Sequence, residues 1–114
     1  MSDCIFCKIA AGQIKSDLVY EDDTVVAFRD INPQAPVHVQ VIPRRHIENA
    51  AALTDEHRDL IAHLILVAAQ VARDEGVEEG GYRLVANVGP QGGQSVPHLH
   101  IHVLGGRAMA WPPG

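Results

Sequence analysis

From position 95 to 104 the chain reads Ser-Val-Pro-His-Leu-His-Ile-His-Val-Leu, with histidine and aliphatic residues alternating from His98 to Val103. Successive side chains of an extended strand point to opposite faces. His98, His100 and His102 therefore share one face, about 6.6 Å between neighbours, and Leu99, Ile101 and Val103 share the other. The same alternation marks Val37-His38-Val39-Gln40-Val41-Ile42 as a strand that stops at Pro43. Leu18 to Glu21 and Thr24 to Arg29 read as a hairpin turned at Asp22-Asp23. Tyr82 to Asn87 is the remaining strand. Helical spacing appears twice. Ile5, Phe6 and Ile9 predict one or two turns over Asp3 to Ala11, ending at Gly12 as a C-cap. Leu60, Ile61, Leu64, Ile65, Ala68 and Val71 predict a helix of about five turns, capped by Thr54 with Asp55 and Glu56 in its first turn and Gly76 near its end. Between these lie a loop with two prolines, Asp30 to Pro36, and a glycine-rich loop, Val88 to Gln94. The tail from Ala110, with Pro112 and Pro113, suits neither helix nor central strand. Five strands on hairpin-length links plus one long helix predict an α+β fold, a five-stranded mainly antiparallel sheet with the helix on one side.

The length of 114 residues suits one domain spanning 1–114, with a tail from 105 to 114. Nine basic against 14 acidic residues leave a net charge of −5, which argues against a sequence-independent nucleic-acid binder. The first residues lack a basic region followed by a long apolar core, and no apolar run approaches ~18 residues. Neither a secretion signal nor a membrane span is expected, and a cytoplasmic protein is. The two cysteines, Cys4 and Cys7, are too few for a disulfide framework and better suited to metal or redox chemistry.

Three imidazoles on one strand face can bind a metal, or can hold one neutral ring as a nucleophile while its neighbours position it and move protons. A polar strand facing solvent is the plainer alternative, but it does not call for three histidines in register. Other features say less by themselves. His38 alone reads as a satisfied half-buried histidine. The loop Gly89 to Ser95 reads as a turn whose glycines would let backbone N–H groups approach an anion. Phe6, Ile9, Phe28 and Ile31 read as core. His57 and His63 sit on or at the border of the long helix without an assigned role, and Arg44-Arg45 reads as a solvated pair placed where it could draw an anionic substrate.

The His-x-His-x-His run, with Gly92-Gly93-Gln94-Ser95 before it and Trp111-Pro112-Pro113-Gly114 at the end, resembles the histidine-triad (HIT) superfamily, and within it the Hint branch of purine nucleoside phosphoramidases. The resemblance runs from Ile5-Phe6 through Asp30-Ile31-Asn32-Pro33-Gln34-Ala35-Pro36 and Val41-Ile42-Pro43 to the tail. It implies that His100 attacks the α-phosphorus of a nucleotide and that water hydrolyses the resulting nucleotidyl-imidazole. It also implies that His102 bonds a non-bridging phosphate oxygen, that His38 is a relay histidine and that His98 completes the triad. By the same resemblance Asn87, Gly93, Gln94 and Ser95 serve the phosphate and leaving atom. Asp30 bonds the ribose hydroxyls, and Phe6, Ile9, Phe28 and Ile31 sandwich the base.

Several bacterial-type HIT proteins bind zinc through two N-terminal cysteines and two histidines, and the resemblance puts the matching positions at Cys4, Cys7, His46 and His98. Two thiolates and two imidazoles make a closed, structural kind of site. A redox Cys-x-x-Cys or two buried thiols are the other readings. Animal Hint proteins lack these cysteines and carry an aromatic where this chain has Pro97. The resemblance further implies a two-fold homodimer whose sheets join through the Tyr82 to Asn87 strand and the long helix. Its substrate class would be conjugates of AMP or GMP with amines, or aminoacyl-type adenylates. Dinucleoside polyphosphates are an alternative substrate class, and a nucleotide-binding regulatory protein with residual activity is an alternative role.

Overall fold

The structure, a computed structural model, describes residues 3–114. The short helix α1 spans Ile5–Ala10, and the chain leaves it through Gly12, whose φ of +77° is the left-handed conformation a C-terminal glycine supplies. β1 (Leu18–Glu21) and β2 (Val25–Arg29) form the expected hairpin. Asp22 holds its turn, accepting from the main-chain N–H of Thr24 and Val25 and from the Tyr20 hydroxyl. β3 spans Val37–Pro43. Two 3-10 turns, Ala50–Ala52 and Asp55–His57, lead into α2, Arg58–Asp74. β4 (Tyr82–Val85) and β5 (Ile101–Gly105) complete one sheet of order β1-β2-β3-β5-β4, in which every neighbouring pair is antiparallel. Among the described residues no helix is long and apolar enough to cross a membrane.

The alternation seen in the sequence sorts the residues onto two faces. Val25, Ala27, Val39, Val41, Leu99, Ile101 and Val103 point toward α2 and bury its Leu64, Val67, Ala68, Val71 and Ala72. The opposite face carries Val26, Phe28 and Ile42, covered at one end by Phe6 and Ala10 of α1. On α2 the buried stripe runs through Val67 and Ala72, whereas Ile65 stays 44% exposed. Its position is about 100° around the helix from Leu64, which turns it away from the sheet.

Several expectations change. The histidine strand is shorter than the alternation suggests, since β5 begins at Ile101 and leaves His98 and His100 in the segment before it. There the main chain pairs elsewhere, with Leu99 N–H donating to the Ile47 carbonyl and His98 N–H to that of Val96. β4 correspondingly ends at Val85, two residues before Asn87. Even so, the in-out alternation outlasts the ladder, because Leu99 still packs in the α2 core while the rings of His98 and His100 both meet Phe6 on the other face. His57 lies at the border of the helix but is not without a role there. It is buried, and its Nδ1 accepts from the main-chain N–H of Thr54, closing a capping box at the helix entry. Nor is Arg44 a free surface cation. It donates to the carbonyls of Asp22 and Ala10, tying α1 to the hairpin, and pairs with Glu21.

Candidate functional site

On the sheet face opposite α2, β3 presents His38 and Gln40, and β5 presents His102 directly across from Gln40. His100 stands beside them, its ring 4.8 Å from that of His102 and edge-on to Phe6 at 5.2 Å. Its Nδ1 lies 2.7 Å from the carbonyl oxygen of His98. A carbonyl can only accept, so Nδ1 carries the proton and Nε2 of neutral His100 keeps a bare lone pair. That is the protonation pattern a nucleophilic imidazole requires.

The same accounting orders the neighbouring rings. Gln34 N–H donates to His38 Nδ1 at 3.0 Å, which puts the His38 proton on Nε2. His38 Nε2 then donates to His102 Nδ1 at 2.9 Å, which leaves neutral His102 with an N–H at Nε2. One backbone amide thus sets two tautomers in series. Asp30 closes the group, with Oδ2 at 3.4 Å from His38 Nε2. Asp30, His38 and His102 lie close enough together to suggest an ion site. The Gln34 contact argues otherwise, because His38 can ligate through Nε2 only by giving up the proton which that contact places there.

Burial holds this chain of rings neutral. It pushes His38 down, and it pushes His102 down to about 4, with the nearby His100 and His38 lowering it further. The consequence for stability has a definite sign. Between about pH 6.5 and 4 the unfolded chain accepts a proton that native His102 refuses, so stability rises with pH across that window. His102→Gln is expected to flatten this rise in urea melts taken from pH 4 to 7. An unchanged pH dependence would contradict the neutral assignment.

A second cluster lies next to the first. Cys4 precedes α1, Cys7 is one turn on, His46 follows β3 and His98 precedes β5, and their four donor atoms all lie within 4.8 Å of one another. Cys4 Sγ is 3.2 Å and Cys7 Sγ 3.5 Å from His98 Nδ1, and Cys7 Sγ is 3.4 Å from His46 Nδ1. The S···N edge of a tetrahedron built with ordinary Zn–S and Zn–N bonds is about 3.6 Å. The residues therefore fit a tetrahedral ion with little adjustment. His98 is wholly buried, and its Nε2 donates to the Pro43 carbonyl at 2.8 Å, which frees Nδ1 as the ligating atom. Burial and the adjacent Cys4 both push the Cys7 thiol up. A reactive redox thiol needs the opposite shift, whereas a cation between two sulfurs would relieve their repulsion.

The glycine-rich loop is held by its own contacts. A Cβ at Gly92 would collide with the main-chain carbonyl of Val88, and Gly93 has φ of +81°. Gln94, expected at the phosphate, has its amide occupied within the protein. Its Oε1 accepts from Asn49 and Gly89 N–H, and its Nε2 donates to the carbonyls of Glu48 and Val96. Ser95 is exposed and Asn87 half-buried, and Asn87 borders a groove formed by β4 and the C-terminal tail. Of the four expected base contacts, Phe6 and Phe28 are buried edge-to-face at 5.3 Å, Ile9 packs on them, and Ile31 is fully exposed. The main-chain groups that set the tautomers, Gln34 N–H and the carbonyls of His98 and Pro43, could not be seen in the sequence. Gln40 carried a visible sign, a second polar residue beside His38 on a strand whose other residues are apolar.

The HIT domain family matches residues 11–109. The chain belongs to the HIT family. Among relatives, it is 56% identical over 112 residues to an uncharacterized HIT-like protein of Synechococcus elongatus, covering 98% of this chain and 97% of that one. It is 50% identical over 115 residues to a 14 kDa zinc-binding protein of Zea mays, covering 99% and 89%. Among solved structures, a HIT family hydrolase from Legionella pneumophila superposes with a TM-score of 0.97 at 50% identity, covering 98% of this HIT chain and 100% of that one.

Proposed function

We propose that this HIT-family protein hydrolyses the P–N bond of purine nucleoside 5′-phosphoramidates, releasing AMP or GMP and an amine. The observation that carries the reading is the His100 Nδ1 contact to the His98 carbonyl, which leaves Nε2 free to attack. In the first step a bond forms from His100 Nε2 to the α-phosphorus as the bond to the amine breaks, and the amine leaves with a proton taken from solvent water, while His38 holds His102 in place to steady the phosphate. In the second, water adds to phosphorus and displaces the imidazole. The His102 Nε2–H suits a non-bridging oxygen on which charge develops. Ser95, Asn87 and the N–H groups of the Gly93 loop are assigned to the same phosphate, and Asp30 to the ribose. Phe6, Ile9, Phe28 and Ile31 are assigned as the wall against the base. Incubation with an AMP-lysine conjugate should yield AMP, and acid-free rapid quenching followed by peptide mass spectrometry should find the nucleotide on His100. Faster cleavage of a dinucleoside polyphosphate, or an adduct elsewhere, would refute the assignment.

Zinc is the ion that the Cys4, Cys7, His46 and His98 donors suit, and the zinc-binding relative supports it. When bound it would supply structure, cross-linking α1 to the segments that precede β5 and follow β3. The free thiols suit a reducing cytoplasm. The assembly proposed is a homodimer joined through β4, which has no neighbour on its outer edge among the described residues, and through α2. Leu66 of α2 is 66% exposed and Leu84 of β4 is 36% exposed, an apolar surface consistent with such a joint. In that arrangement Trp111, 83% exposed, would lie near the partner's site. A monomer mass by light scattering would overturn the dimer.

A further inference from the structure

Gln40 stands in β3 opposite Phe28 of β2 on one side and His102 of β5 on the other. Only 8% of it is exposed. Its amide nitrogen donates to Asp30 Oδ2 at 2.8 Å. A carboxylate only accepts, so the amide must turn its NH2 that way, and the orientation of the side chain is settled. Its Oε1 is then left buried with no partner, the one such side-chain nitrogen or oxygen among the described residues. An unpaired buried acceptor forfeits its hydration without return, a penalty that a leucine or methionine at this position would avoid. Packing does not account for a glutamine here, but recognition of a ligand donor does.

We infer that Gln40 Oε1 accepts a hydrogen bond from one ribose hydroxyl of the bound nucleotide while Asp30 accepts from the other, making Gln40 the residue that favours ribonucleotides over deoxyribonucleotides. The inference rests on the nucleotide reading given above. The shared amide keeps Oε1 within about 5 Å of the Asp30 carboxylate, and a vicinal diol offers two O–H donors side by side. The Asp30 side chain is 17% exposed and adjoins the fully exposed Ile31, so this end of the pair opens to solvent. The last torsion of a glutamine is soft. Small coupled changes in the glutamine torsions can therefore swing Oε1 toward a ligand about the Nε2–Asp30 hydrogen bond without breaking it.

Calorimetric binding of AMP, 2′-deoxy-AMP and 3′-deoxy-AMP to the wild type, Gln40→Leu and Gln40→Met tests this. The wild type should bind AMP at least about 10-fold more tightly than one of the two deoxy analogues, since a site built to bond a hydroxyl discriminates against its absence. Both variants should reduce that ratio to about 3-fold or less, chiefly by weaker AMP binding, and should melt at or above the wild-type temperature. A wild type that binds AMP without preference over either analogue overturns the inference, as do variants that keep the full preference. Collapse of both folds would also overturn it, by showing that the amide is needed for structure. Failure of the wild type to bind AMP at all would instead refute the nucleotide reading itself.

Discussion

His100→Asn is expected to lower turnover of an AMP-lysine conjugate by about 10⁴-fold or more, as removal of a covalent nucleophile does when no other group can take its place. Asparagine suits the test because its amide nitrogen can still donate to the His98 carbonyl, the contact that His100 Nδ1 makes at 2.7 Å. What it lacks is the second ring nitrogen. Loss of the edge-on packing against Phe6 should cost a modest amount of stability, and AMP should still bind, since the residues assigned to ribose and base are untouched. No bound phosphorylated intermediate should be detectable in the variant. Turnover within 10-fold of the wild type would remove His100 from the mechanism. His38→Ala should have a smaller effect, because it leaves the His100 tautomer in place and disturbs only the His102 Nε2–H that His38 sets.

The second large effect concerns the metal cluster. Cys4→Ser/Cys7→Ser should abolish zinc binding and lower the melting temperature by roughly 10 °C, about 3 kcal/mol for a domain of this size. The magnitude follows from topology. The four ligands come from three segments far apart in the chain, so an ion there closes long loops, much as a cross-link would. The wild type purified without chelator should carry close to one zinc per chain, and EDTA treatment should reproduce the variant's melting curve. The effect should reach the neighbouring histidines. His98 offers Nδ1 to the cluster and its carbonyl to His100, so NMR of the His100 ring nitrogens should show a less uniform tautomer in the metal-free protein. Wild type without zinc, or a double variant that melts with it, would dispose of the site.

Much of the architecture can be read from local pattern. Alternation places Leu99, Ile101 and Val103 against the helix and the histidines against the opposite face, because the two-residue period of an extended chain persists even where the ladder stops. The hairpin at Asp22 and the stop at Gly12 are likewise local, since each depends on a side chain or a φ angle within a few residues. The HIT resemblance, confirmed over residues 11–109, supplied the pairing of Cys4 and Cys7 with His46 and His98, which the structure brings together.

Where reading along the chain failed, the cause was a partner distant in sequence. β5 is short because Leu99 spends its N–H on Ile47, and Gln94 is a clamp because its amide reaches Asn49 and Glu48. Arg44 is a strap because Ala10 and Asp22 offer it carbonyls. By itself, then, the order of residues determined which side chains face the site and which chemistry they can carry. Only the tertiary structure decided which nitrogen of each histidine holds its proton and that Gln40 is left with an unpaired oxygen. Side-chain direction follows from the backbone period of one segment, whereas a proton's position depends on donors and acceptors that folding brings in from others.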